Sequence, residues 1–273
     1  MSKLRELITR YEDKAPVLFS WLRYYNHVVL KNNIVYPQVT KRIFKLVDSK
    51  NAIAVDVGAN VGIVTRYLSQ YFAVTHAVEP LPYLYQRLKH FENSKIKVHH
   101  CALGADNGEV VMRTPVGADG KPYHALSTAS ATNALNMFEH ASIVECTVPL
   151  YQLSNLITAK SGRVGYLKID VEGFEHAVLL GATTLIERDR PIIQMEIEKT
   201  HNPNYMDVIE WMRQNQYLGY SLEKMGIKDN MLTCLENQMV NNNLALNAEI
   251  LNQYDFLFIP LEKASQFKGL VLD

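Results

Sequence analysis

Residues 52–62, AIAVDVGANVG, constrain the fold more than any other stretch of the chain. The apolar, β-branched run reads as a strand that ends in Asp56 and breaks into a glycine-bearing turn that opens a helical pattern at Ile63. A strand, glycine turn and helix in that order form the opening unit of a doubly wound α/β sheet. Ligands of such sheets settle beyond the carboxyl ends of the parallel strands, where backbone N–H groups and a helix N-terminus face them.

A second apolar run, AVTHAV at residues 73–78, ends in Glu79 followed by Pro80. An acidic residue roughly twenty positions beyond the turn is where a ribose is received, because a carboxylate can accept both ribose O–H groups. The turn departs from the dinucleotide pattern G-x-G-x-x-G, since Asn60 stands at the second glycine in Gly58-Ala59-Asn60-Val61-Gly62. That glycine is the one that lets the backbone touch a pyrophosphate. The reading is therefore a nucleoside cofactor without phosphates, and S-adenosylmethionine fits it better than NAD or FAD. Asp56 points the same way, because a carboxylate attracts a sulfonium or ammonium group and repels a phosphate. Asp56 and Glu79 are expected to face one cavity from neighbouring strand tips.

A 273-residue chain of 48% hydrophobic composition can bury one sizeable core. Lys+Arg and Asp+Glu both number 28, so no global field draws the protein to nucleic acid or an anionic membrane, and a nucleic-acid partner is not expected. Cys101, Cys146 and Cys234 are odd in number and lack metal-ligand spacing, which suits a reducing, cytoplasmic setting. The apolar stretch Pro16–Leu30 is interrupted by Arg23, Asn26 and His27, and charges recur from Lys3 to Lys14, so neither a transmembrane segment nor a signal peptide is expected. The sequence specifies no oligomeric state.

Residues 1–50 read as a helical segment packed on the core, with Leu4, Leu7, Ile8 and Tyr11 on one face and Val39, Ile43, Phe44 and Val47 on another. Between them lies the aromatic cluster Phe19, Trp21, Tyr24, Tyr25 and Tyr36, which reads as core, with a cap over the cofactor or an interface for a partner as the alternative. Residues 51–273 read as the main domain. Strands are expected before Gly58, before Glu79 and over 96–102, with helices over 63–71 and 81–91, the second carrying Pro80 in its first turn. The rhythm then breaks. Residues 109–150 hold two strand-like runs, EVVMRTP and VECTVPL, around a stretch rich in Gly, Ser, Thr, Ala and Asn, and an insertion of that length is commonly a lid or binding loop.

Alternation resumes with VGYLKIDVEG at 164–173, a helix over 174–187, a strand over 191–198, a helix over 205–215 and a strand over 217–222. An Asn- and Met-rich insert, irregular or helical, is expected at 224–250, and a last, antiparallel strand at 254–260 in an edge hairpin with the strand before it. On a regular strand Tyr166, Lys168, Asp170 and Glu172 share one side. Buried charges need a partner or a ligand, so the alternatives are a Lys168–carboxylate bridge that locks the sheet and a functional site. Asp170 lies nearer the ligand-binding end. Glu175 reads as a dipole partner in the first turn of its helix. Glu196 and Glu198 alternate at the end of the next strand, with His201 just beyond. Asp170, Glu196 and His201 are the candidate general bases. They could neighbour one another around a metal, but no compact ligand motif is present and none is expected.

The succession VDVGANVG, VEP, ALGADNG and LKIDVEGFEHAVLLGA resembles the FkbM-type S-adenosylmethionine-dependent methyltransferases over residues 51–198. The resemblance implies a class I methyltransferase fold, a seven-stranded, mostly parallel sheet whose last strand is antiparallel. It also implies methylation of hydroxyl oxygens on sugars, glycans or small natural products. Carried over by position, it puts Asp56, Gly58, Asn60 and Gly62 around the methionine portion of the cofactor and Glu79 at the ribose. Cys101, Ala102 and Leu103 would flank the adenine, and Asp170 and Glu172 would lie at the transfer site. Three alternatives stay open: RNA 2′-O-methylation, an NAD(P)-dependent oxidoreductase on a similar sheet, and a binding module with an idle pocket.

Overall fold

The structure, a computed structural model, describes residues 43–133, 135, 142–197, 202, 205–221, 232–234 and 255–272. The first helical face and the aromatic cluster expected before residue 43 lie outside the described residues, as do Glu198 and His201.

Twelve strands form two sheets among the described residues. The large sheet contains β1 (Ile53–Val57), β2 (Val74–Val78), β3 (Ile96–His99), β7 (Val164–Ile169), β8 (Ile192–Glu196), β9 (Tyr217–Ser221), β10 (Leu232–Cys234), β11 (Asp255–Pro260) and β12 (Val271–Leu272). Their order is β12-β10-β9-β11-β8-β7-β1-β2-β3. Strands β3, β2, β1, β7 and β8 run parallel, and β11 is antiparallel to both β8 and β9. This is the expected mostly parallel seven-stranded sheet, extended by the short β10 and β12. Two placements differ from expectation. Strand β11 lies inside the sheet between β8 and β9, where the backbone groups on both of its edges find partners, and Phe256–Pro260 are buried at every position. Residues 232–234, within the stretch expected to be irregular or helical, pair with β9 as a strand.

Helices α1 (Ile63–Leu68), α2 (Pro82–Lys89), α3 (Leu153–Leu156), α4 (Glu175–Asp189) and α5 (Tyr205–Gln214) follow the strands. Strands β1 and β7 are buried throughout, and their alternating side chains feed two cores. One face puts Val55, Val57, Leu167 and Ile169 against Val178, Leu185 and Ile186 of α4 and Met212 of α5. The other puts Ala54 and Tyr166 against Tyr67 and Leu68 of α1 and against Phe44. Phe44 meets Phe72 and Tyr166 edge-on at 5.0 and 5.1 Å between ring centres. Helix α2 starts at Pro82, so Pro82 rather than Pro80 takes the first-turn position.

The insertion forms the second sheet, β4 (Ala102–Leu103), β6 (Ser142–Tyr151) and β5 (Gly108–Val116). Strands β5 and β6 pair antiparallel from Gly108 with Leu150 to Val116 with Ser142. Met112 and Val148 turn inward onto Leu81 and Leu84 beside α2, which seats this sheet at the carboxyl end of the large one.

Candidate active site

The chain leaves β1 through a turn whose backbone is left-handed at Gly58 (φ 78°), Asn60 (φ 49°) and Gly62 (φ 78°). The N–H groups of Gly58 and Ala59 donate to the Val78 carbonyl at 3.0 and 3.1 Å, tying the turn to β2. On the other side Asp170 N–H donates to the Val57 carbonyl at 3.1 Å. A Cβ on Gly58 would lie 1.9 Å from the Asp170 carbonyl oxygen, so the two strand tips touch only because this residue has no side chain. Gly62 serves packing instead: a Cβ there would meet Leu88 of α2 at 2.6 Å.

Glu79 sits at the tip of β2, 3% exposed. Its carboxylate accepts from Asn60 N–H at 2.8 Å and Leu81 N–H at 2.9 Å, so one side chain holds both the turn after β1 and the entry to α2. Burial pushes this carboxyl up to about 7, against the pull of those two backbone donors.

Behind the turn lies a buried group of charges. Asp56 is fully buried and accepts from Thr65 Oγ1 at 2.6 Å, and its Oδ1 has no hydrogen-bond partner among the described residues. Burial raises its carboxyl, opposed chiefly by Lys168. Lys168 Nζ donates to Asp170 Oδ2 at 2.7 Å. Burial alone would push that ammonium down, but Asp170, Asp56 and Asp255 hold it above its usual value. Tyr166 OH donates to Gln194 Oε1 at 2.5 Å, and Gln194 Nε2 donates to Asp255 Oδ1 at 3.2 Å. One cation thus stands among three carboxylates in the sheet interior. The bridge that locks the sheet and the candidate site share Asp170.

The expected alternation from Tyr166 to Glu172 stops at Ile169, where β7 ends. Glu172 takes a left-handed backbone (φ 49°), which for a residue with a side chain costs about 1–3 kcal/mol and persists only where the surroundings impose it. The surroundings here are specific. Thr128 Oγ1 and Asn133 Nδ2 donate to the Glu172 carbonyl at 2.6 and 3.1 Å, and Gly173 N–H donates to Glu175 Oε1 at 2.8 Å. Asn202 Nδ2 donates to the other Glu175 oxygen at 2.7 Å. Glu175, read from sequence as a helix-dipole partner, is therefore a buried bracket between two loops.

These turns enclose a cavity of about 260 Å³ at the carboxyl end of the sheet. Of the residues predicted from sequence, Gly58, Asn60, Glu79, Cys101, Ala102, Leu103, Asp170, Glu172 and Glu196 line it. Asp56 and Gly62 do not: Asp56 is drawn inward to Thr65 and Gly62 backs onto α2, so of the two acidic strand-tip residues only Glu79 reaches the cavity. Among the described residues no group of three His, Cys, Asp or Glu side chains could hold a metal ion. Met112, Ala125, Ser127 and Ala129 of the insertion, with Phe174, complete the wall. The sequence singles out none of these; the stretch rich in Gly, Ser, Thr, Ala and Asn contains Ala125, Ser127 and Ala129 but marks none of them.

The sequence model of the methyltransferase FkbM domain matches residues 56–222. The chain belongs to the FkbM methyltransferase family. The matched span runs from Asp56 past β9, so it includes the Gly58 turn, Glu79, the insertion and the Asp170 turn. No curated protein sequence matches the chain. Among solved structures, the methyltransferase FkbM from Methylobacillus flagellatus KT is 18% identical, with a TM-score of 0.40, over 59% of this chain. The present chain spans only 36% of that protein's length. An rRNA methylase from Streptococcus thermophilus is 10% identical, with a TM-score of 0.40, over 80% of this chain and 92% of its own. The B. subtilis m1A22 tRNA methyltransferase TrmK is 11% identical, with a TM-score of 0.39, over 85% of this chain and 70% of its own. Among the described residues, no helix is long and apolar enough to cross a membrane.

Proposed function

We infer that this FkbM methyltransferase uses S-adenosylmethionine to methylate a hydroxyl oxygen on a sugar, a glycan or a small natural product. The observation that carries the cofactor reading is Glu79, a carboxylate buried at the tip of β2 yet lining the cavity. A buried carboxylate turned toward a cavity calls for donors, and vicinal ribose hydroxyls supply two. The Gly58 turn would lie against the methionine portion, and Cys101, Ala102 and Leu103 against the adenine.

S-adenosylmethionine supplies an electrophilic methyl group when bound. The chain's own task is to align the acceptor oxygen, exclude water and take the hydroxyl proton. Asp170 and Glu196 both line the cavity, at the ends of β7 and β8. Lys168 anchors one oxygen of Asp170, which fits it to orient the acceptor as well as to receive a proton. Glu196 is a second candidate base. His201, proposed with them from sequence, lies outside the described residues.

The test is transfer of label from methyl-labelled S-adenosylmethionine across hydroxylated glycans, small metabolites and RNA, with Asp170→Asn as the control. The expected result is an O-methylated glycan or metabolite whose formation falls about 100-fold or more in the variant. Full turnover by Asp170→Asn on the true acceptor would remove that residue from the chemistry, and methylated RNA alone would overturn the acceptor class.

A further inference from the structure

The Glu172–Gly173 peptide is held at both ends by segments distant in sequence. Its carbonyl receives Thr128 Oγ1 and Asn133 Nδ2 from the insertion, and its N–H is taken by Glu175, which Asn202 holds from beyond β8. Thr128 is fully buried, and Asn133 and Asn202 are 2% and 4% exposed. Polar side chains so deeply buried on a surface insertion are costly unless every group is paired, and here the pairing is extensive. Asn133 Oδ1 accepts from Leu135 N–H at 3.0 Å, and Thr128 Oγ1 accepts from Ser130 N–H at 2.9 Å. The backbones of Arg113 and Thr128 exchange hydrogen bonds at 2.9 and 3.0 Å, and the Arg113 guanidinium donates to the carbonyls of Ser130 and Asn133.

The residues around the held peptide face the cavity. Asp170, Val171, Glu172 and Phe174 line the cavity, and so do Ser127 and Ala129, the two neighbours of Thr128. A side-chain hydroxyl between two wall residues therefore fixes the backbone of the opposite wall. We propose that Thr128 and Asn133 on one side, and Glu175 with Asn202 on the other, are positioning residues that lock the Glu172–Gly173 peptide, joining the insertion to the transfer turn so that both close on one ligand. This rests on the cofactor reading given above. None of the four touches the reacting atoms in this assignment; they act through the backbone of Glu172 and Gly173.

Two measurements on the full chain test the lock. Hydrogen exchange at the Gly173 amide is read without ligand, and the affinity for S-adenosylhomocysteine is read by calorimetry. Thr128→Val, which keeps the shape and removes the donor, and the double variant Thr128→Val/Asn133→Ala are compared with Glu175→Ala. Ser154→Ala is the control, because Ser154 accepts from Leu185 N–H at 3.1 Å, in a contact away from the held peptide. The double variant, which loses both donors to the Glu172 carbonyl, and Glu175→Ala, which loses the acceptor of the Gly173 N–H, should exchange Gly173 at least about tenfold faster and bind S-adenosylhomocysteine about tenfold more weakly. Thr128→Ser should restore both readings, and Ser154→Ala should leave both within about twofold even where it lowers the melting temperature. Unchanged exchange and affinity in Thr128→Val and the double variant would overturn the lock. A wild-type protein that ignores S-adenosylhomocysteine yet shows the exchange pattern would remove the cofactor reading and leave the lock standing.

Discussion

The turns after β1 and β7 meet at one contact, Gly58 against the Asp170 carbonyl, but are built in opposite ways. The first is local. Its shape comes from left-handed residues at 58, 60 and 62 and from hydrogen bonds to Val78 and Glu79, within about one β-α-β unit. The second takes its shape from afar, because Glu172 is held by Thr128 and Asn133 and the Gly173 contact is backed by Asn202. A site can thus pair a half written in consecutive residues with a half that exists only once the chain has folded.

The sharpest way to break this comparison is at Lys168, the cation behind both turns. Lys168→Met should destabilise the protein by about 3–5 kcal/mol in denaturant melts, because Asp170, Asp56 and Asp255 then lose their shared cation. Next comes the contact itself. Gly58→Ala places a methyl group into the Asp170 carbonyl at a positive φ, so it should cost more than about 2 kcal/mol and abolish measurable S-adenosylhomocysteine binding.

A third test uses pH at Glu79. Its folded carboxyl is raised from 4.5 to about 7, so its contribution to stability is full below the unfolded value and is lost as pH rises through 7. Ribose hydroxyls need the ionised form as acceptor, so affinity should run the other way. From pH 6 to 8 the S-adenosylhomocysteine dissociation constant should fall about tenfold, and Glu79→Gln should flatten that profile. The smallest effect is expected at Cys101, whose thiol burial pushes up to about 12. Cys101→Ser should change affinity by no more than about twofold if the adenine is met by backbone groups, and the wild-type thiol should resist alkylation at pH 8.

What could be read from the sequence follows the same division. The strand before Gly58, the acidic tip at Glu79 and the parallel sheet were legible, because hydrophobic period and turn chemistry are short-range signals. The interior place of β11 was not: DFLFIP states that a strand is buried on both faces, and not between which neighbours. Asp56 was placed at the cavity from its strand-tip position, whereas Thr65, nine residues on, draws its carboxylate inward. Glu175 looked like an ordinary first-turn carboxylate, since nothing local reveals Asn202 at its far oxygen. The insertion's wall residues were hidden for the same reason. Small side chains such as Ala125, Ser127 and Ala129 carry no periodic signal, and their role depends on what they are folded against.

The cofactor assignment meets its most direct test in calorimetric titration of the wild-type chain and Glu79→Ala with S-adenosylhomocysteine and with NAD. Single-site binding of S-adenosylhomocysteine is expected, weakened at least about 30-fold in Glu79→Ala, with no binding of NAD. Equal affinity in the two proteins, or a preference for NAD, would contradict the cofactor assignment.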